Sequence, residues 1–199
     1  MSRSRVKLMM AKKAAPQPKM PDAEPVLVLQ ATLLSLGEKV ADGALIRACA
    51  LPWIAIVEAL ERRPELLFEF AKNPRYFEEF IAATYDRAGF DEVILTPQRG
   101  DLGRDVIAIK HGFGALRFLD QVKAFSPGHL VSHNDVRAMM GTLAMDPGAS
   151  KGLVTTTSGF EPGILKPNSE FASAIPHRLE LKGGTDLLGW ISDVKSATT

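Results

Sequence analysis

Asp105, Gln121 and Lys123 are polar residues in segments that read as strand, where an apolar side chain is the ordinary occupant. Gln121 and Lys123 stand two apart, so they project from one face of a single strand. Asp105 opens the preceding strand, and the turn at His111-Gly112-Phe113-Gly114 would lay the two strands side by side. A carboxylate, an amide oxygen and an ammonium would then converge at one sheet edge. That set suits metal-assisted cleavage of a phosphodiester. Hard oxygen ligands hold Mg²⁺ while leaving positions for water and phosphate. The ion polarises the phosphoryl group and lowers the pKa of a bound water, and the lysine orients the nucleophile and offsets charge. The pattern is short, and an exposed strand end with a solvated lysine shows it equally.

Such a site needs a helix behind it and strands beside it. Asn73-Pro74 predicts a helix start, with Asn73 as the N-cap and Pro74 in the first turn. Phe77, Phe80, Ile81, Thr84, Tyr85 and Ala88 recur at helical spacing and form the buried face, and Gly89 ends the helix. Glu78 flanks that face and can border the core, whereas Glu79 is expected to point to solvent. Strands are predicted at Glu92–Pro97, Asp105–Lys110, Leu116–Ala124, Gly152–Thr156 and Arg178–Leu181, with Gln98–Gly103 as a polar loop. Helices are predicted from the Ser132 cap to Leu143, over Pro162–Ala174 and over Asp186–Ile191. Residues 22–72 also read as helical, because Val26, Leu29, Leu33, Leu45, Ile54, Val57 and Leu60 fall near a 3.6 period. Their eight acids against five bases suit packing or dimerisation better than reading DNA. The order α-β-β-β-α-β-α-β-α predicts an α/β protein, a mixed β-sheet with helices on both sides.

Several segments in this order resemble the Mrr-type restriction endonucleases of the PD-(D/E)xK nuclease fold. They are Phe77-Glu78-Glu79-Phe80-Ile81, Ala88-Gly89-Phe90, Asp101-Leu102-Gly103-Arg104-Asp105-Val106 and Gln121-Val122-Lys123. Gly152-Leu153-Val154-Thr155-Thr156-Thr157 and Leu181-Lys182-Gly183-Gly184 with Leu187-Leu188 continue the likeness. It covers about residues 64–193. The resemblance implies a restriction-endonuclease-like sheet in which Asp105 is the catalytic aspartate and principal metal ligand. Lys123 would be the active-site lysine, Gln121 would stand where most members of the fold carry an acid, and Glu78 would add a carboxylate near the metal. The implied cofactor is Mg²⁺ (or Mn²⁺), the implied partner double-stranded DNA, and the implied setting a prokaryotic or phage-infected cytoplasm. Asp101 also fits the pattern, with shaping of the loop as its expected part.

Three divisions are expected: a basic tail over 1–22, a helical N-terminal segment over 23–70 and the nuclease domain over 71–199. The net charge of +1 is unevenly spread. Arg3, Arg5, Lys7, Lys12, Lys13 and Lys19 face no acid before Asp22, so the other 178 residues carry 18 basic and 23 acidic side chains. The tail reads as a solvated segment or as an arm seeking DNA phosphates, and Arg104 is a further candidate DNA contact. The start lacks the apolar core of about 7–15 residues that a secretory signal needs. No apolar run approaches the roughly 20 residues of a membrane span. Cys49 is the only cysteine, which excludes an internal disulfide and a cysteine-built zinc site. Gly112 and Gly114 form no phosphate-cradling motif, so no NTP is expected to bind.

His129 and His133 could touch DNA or lie in a solvated loop, and the hydroxyls of Thr155–Ser158 could meet phosphates or simply end a strand. The expected activity is a metal-dependent endodeoxyribonuclease of restriction, type IV-like and homodimeric, because cutting both strands needs two sites. A junction or repair nuclease of the same fold, a DNA-binding module without catalysis and a purely structural protein are the alternatives.

Overall fold

The computed structural model describes residues 31–198 apart from 99 and 101, so the basic tail lies outside the described residues. The elements run β1 (Leu34–Val40), β2 (Gly43–Ala48), α1 (Ala50–Arg62), a 3₁₀ segment (Pro64–Lys72), α2 (Pro74–Arg87) and β3 (Glu92–Leu95). They continue as β4 (Val106–Gly112), β5 (Gly114–Lys123), α3 (His133–Met145), β6 (Lys151–Thr156), β7 (Leu179–Lys182) and α4 (Gly184–Thr198). One seven-stranded sheet takes the strands in sequence order. β1 to β5 are antiparallel neighbours, and β5, β6 and β7 run parallel. Among the described residues, no helix is long and apolar enough to cross a membrane.

Each face of the sheet has its own core. On one face α1, the 3₁₀ segment, α2 and α4 bury Trp53, Ile56, Leu60, Phe70, Phe77 and Phe80 against Val93, Val106 and Ala108. On the other, α3 and the chain after β6 cover Ile107, Leu119, Val154 and Leu179 with Val136, Met139, Leu143 and Ile164. Gly152 lets α3 approach β6: a Cβ there would lie 2.8 Å from the Met139 sulfur. Its place in the strand therefore follows from packing.

Two predicted helices are corrected. Residues 34–48 form an antiparallel hairpin that joins the sheet beside β3. Leu45 and Ile46 alternate faces as strand residues, and the Asp42-Gly43 pair at the turn is the local signal that the 3.6-period reading overrode. Gly43 has φ 156°, and a Cβ would meet the Leu95 carbonyl oxygen at 2.3 Å. Among its described residues the segment is helical from Ala50 onward. Residues 162–174 are a string of turns. Gly163 adopts φ 105°, and Pro167 has no N–H to give to a helical ladder. The predicted α2 forms as expected: the Asn73 side chain accepts from Tyr76 N and Pro74 occupies the first turn. Glu79, however, is half-buried, and burial raises its pKa. Ala31 lies near that flank, its carbonyl accepting from the Tyr76 hydroxyl.

Candidate active site

The site lies where β4 begins and β5 ends. Val106 pairs with Asp120 in the antiparallel ladder, so Asp105 falls beside Gln121. Two bonds fix it there: Asp105 N donates to Asp120 O at 2.8 Å, and Asp105 Oδ2 accepts from Val122 N at 2.7 Å. The carboxylate thus takes the place of a backbone carbonyl and sits between positions 120 and 122 of the neighbouring strand. Thr96 holds the same residue from the other side, its N–H and hydroxyl donating to Asp105 O at 3.0 and 3.1 Å.

Gln121 carries the most informative feature. Its Oε1 is buried and has no hydrogen-bond partner. Buried polar atoms are nearly always bonded, and an orphan calls for an explanation such as an ion. An amide oxygen and a carboxylate are hard donors of the kind a divalent cation takes. Among the described residues no three or more His, Cys, Asp and Glu surround one point. With so few protein oxygens, an ion held here would keep several of its waters.

Lys123 ends β5, and its carbonyl accepts from Thr156 Oγ1 at 2.8 Å and Thr157 N at 3.2 Å. Its ammonium lies 3.6 Å from Asp135 Oδ1, a quarter exposed and able to reach solvent. Asp135 belongs to a capping box at the start of α3, with Asp135 N donating to Ser132 Oγ at 3.2 Å and Ser132 N to Asp135 Oδ2 at 2.9 Å. Burial pushes the Asp135 pKa up, but the Ser132 bonds and the lysine outweigh it and hold the pKa below its ordinary value. The Ser132-x-x-Asp135 spacing was legible as a cap; its approach to Lys123 was not.

Glu78 reaches the same end of the sheet indirectly. It pairs with Arg75 at 2.6 Å, and Arg75 also donates to Thr96 O at 2.9 Å. Thr96 in turn holds Asp105, so α2 and the start of β4 share one polar chain. Arg104 points its guanidinium at Asp42 and Asp146, at 2.8 and 2.9 Å. The Thr155, Thr156 and Thr157 hydroxyls are used internally, donating to Asp120, Lys123 O and Phe125 O. His133 Nδ1 lies 2.9 Å from Glu161, and His129 stacks on Phe125 with ring centres 4.0 Å apart.

One buried carboxylate escaped the sequence. Asp120 projects to the opposite face from Gln121 and is fully buried, accepting from Tyr85 OH at 2.9 Å and Thr155 Oγ1 at 2.8 Å. Burial pushes its pKa up to about 7, against the pull of the two hydroxyl bonds. A lone Asp in a strand gives no signal of its depth.

Residues 71–191 match the Mrr catalytic-domain family, a restriction endonuclease family. The chain belongs to it. Asp105, Gln121, Lys123 and Glu78 all fall inside the matched stretch, whereas the β1–β2 hairpin and α1 precede it. A comparison with curated proteins finds no match. Among solved structures, the DNA modification-dependent restriction endonuclease AspBHI is similar over 92% of this chain and 43% of its own, with 17% identity and a TM-score of 0.45. The MspJI restriction endonuclease in complex with a 27-mer oligonucleotide is similar over 75% and 34%, with 17% identity and a TM-score of 0.37. The chain thus spans less than half the length of either.

Proposed function

We propose that this Mrr-family chain is a Mg²⁺- or Mn²⁺-dependent endodeoxyribonuclease, type IV-like, that restricts modified DNA in a prokaryotic cytoplasm. The observation that carries the reading is the buried, unpartnered Oε1 of Gln121, which stands between the two residues whose backbone holds Asp105 and two residues from Lys123. Asp105 and Gln121 would hold the ion, with Glu78 as a further carboxylate of the same sheet end. When bound, the ion would polarise the phosphoryl group and lower the pKa of a water.

The chain's own residues do the positioning. The Val122 N–H and the Asp120 carbonyl lock Asp105, so its carboxylate needs no reorganisation when DNA arrives. Lys123 presents an ammonium that can donate to the attacking water or to a phosphate oxygen and offset charge there. Asp135 limits where that ammonium swings. Membership of a restriction endonuclease family supports DNA as the substrate. Selection of modified DNA, the property by which AspBHI is described, is part of the proposal for this chain and is what the methylation comparison below tests.

Cleavage of both strands calls for two such sites, and a homodimer on double-stranded DNA supplies them. The basic residues Arg3, Arg5, Lys7, Lys12, Lys13 and Lys19 would hold the DNA backbone. The deciding experiment is plasmid cleavage in Mg²⁺ or Mn²⁺ on methylated and unmethylated DNA, with Asp105→Ala and Lys123→Ala alongside. Wild-type cleavage that both variants lose is the expected result. Equal cleavage by the variants would discard the site. Deleting residues 1–21 is expected to flatten the salt dependence of binding, by about 0.9 in log–log slope for each phosphate that the tail neutralises.

A further inference from the structure

Arg104 precedes the catalytic-site aspartate and is the centre of a closed ring of charges. Its guanidinium bridges Asp42 and Asp146 at 2.8 and 2.9 Å. Arg117 bridges the same two carboxylates at 3.0 and 3.4 Å. The four side chains are 12–30% exposed, so the ring is largely sheltered from water. Such a ring is sensitive to the loss of any one member, because the remaining charges are left partly buried and unbalanced.

The ring ties together four places in the fold. Asp42 stands on the β1–β2 turn, Arg104 at the entry to β4, Arg117 on β5 and Asp146 at the C-cap of α3. The entry to β4 needs such fastening. Leu102 has φ 56°, a left-handed conformation unfavourable for a leucine, and Gly103 follows at φ 78°. Backbone of this kind persists where its surroundings over-determine it. One fastener is Thr142 of α3, whose hydroxyl donates to Leu102 O at 3.2 Å. Thr96 is another, its hydroxyl donating to Arg104 O at 2.8 Å. The ring adds a third hold, and it acts through the side chain one residue before Asp105.

We infer that Asp42, which precedes the matched family stretch, is a positioning residue of the nuclease site. Through Arg104 it fixes the backbone from which the Asp105 carboxylate leaves. The N-terminal hairpin thereby supplies part of the support of the active site. The inference rests on the reading of Asp105 as the metal-holding aspartate given above.

Asp42 also makes the cleaner test than Arg104. Loss of an arginine could remove a DNA phosphate contact, but loss of a carboxylate can only ease the approach of DNA. Full-length wild type, Asp42→Asn, Asp105→Ala and the surface control Glu38→Gln are compared in three ways. Single-turnover cleavage is measured at saturating DNA and Mg²⁺, Mn²⁺ binding to the DNA-free protein by electron paramagnetic resonance, and hydrogen exchange over residues 102–106 by mass spectrometry. All are run well below the melting temperature of every variant.

Removing a group that orients a ligating residue typically costs about 10–100-fold in metal affinity or activity. Asp42→Asn is therefore expected to cut about tenfold more slowly and bind Mn²⁺ more weakly. Exchange over 102–106 should be faster, with DNA affinity unchanged or raised, and Glu38→Gln should match wild type. Wild-type cleavage and Mn²⁺ affinity in Asp42→Asn, with Asp105→Ala inactive, overturn the inference alone. Full cleavage by Asp105→Ala overturns the reading beneath it as well.

Discussion

Asp105 and Asp120 are joined by a 2.8 Å backbone hydrogen bond, yet their carboxylates meet opposite surroundings. Asp105 lies at the strand start, partly exposed, its carboxylate accepting from the Val122 N–H. Asp120 is sealed beneath α2, its Oδ2 bonded by Tyr85 and Thr155 and its Oδ1 without a partner, and burial pushes its pKa to about 7. The same side chain thus reaches solvent in one case and is enclosed in the core in the other. What separates them is one step of the pleat and whether a helix covers that face. Charge at Asp105 can be offset by a cation from solvent. Asp120 has Lys182 as a distant counter-charge and Asp105 as an unfavourable neighbour.

This contrast breaks most sharply under truncation. Asp105→Ala should lose cleavage on the order of 10³-fold or more, as removal of a principal catalytic group does, with about 1 kcal/mol of stability lost because Val122 N–H loses its acceptor. Asp120→Ala should instead lose about 2–4 kcal/mol of stability in urea unfolding, because Tyr85 and Thr155 are left without an acceptor in the core. A stable, inactive Asp120→Ala would erase the distinction.

A comparable effect is expected from pH, measured in EDTA so that no cation intervenes. The folded Asp120 keeps its proton up to about 7, whereas the unfolded chain releases it near 3.8. The fold therefore binds the extra proton between those values, and the Asp120 contribution to stability falls as pH rises through them, then stays flat above. Relative to wild type, Asp120→Asn should gain on the order of 4 kcal/mol from pH 4 to pH 8 in chemical denaturation. A constant difference across that range would show that Asp120 ionises normally.

The smallest stability change sharpens the other side. Gln121→Met keeps the shape of the side chain and removes the orphan oxygen. It should stabilise the protein by about 1 kcal/mol, since an unsatisfied buried acceptor is costly, while cleavage falls about 10–100-fold. A destabilised variant would mean that Oε1 is satisfied in the folded protein.

The hairpin and α2 show how far local patterns reach. At α2, the Asn73-Pro74 start, the apolar stripe and Gly89 agree with one another, and the helix forms where they place it. At residues 34–48 the Asp42-Gly43 signal competed with a loose 3.6 period, and tertiary pairing with β3 decided for strand. Pro162–Ala174 had helical length, but Gly163 and Pro167 interrupt the backbone ladder.

Residue types and their order determined by themselves that Asp105, Gln121 and Lys123 could share a sheet edge. Antiparallel pairing of consecutive strands and two-residue alternation are local properties of the chain. The family motifs carried the expected roles. Only the tertiary structure decided that Gln121 Oε1 is buried without a partner, that Asp135 stands beside Lys123, and that Asp42 closes a ring around Arg104. Those facts depend on contacts between residues far apart in sequence, 62 positions in the case of Asp42 and Arg104. No local pattern encodes such contacts; packing of the hairpin and α3 around the start of β4 does.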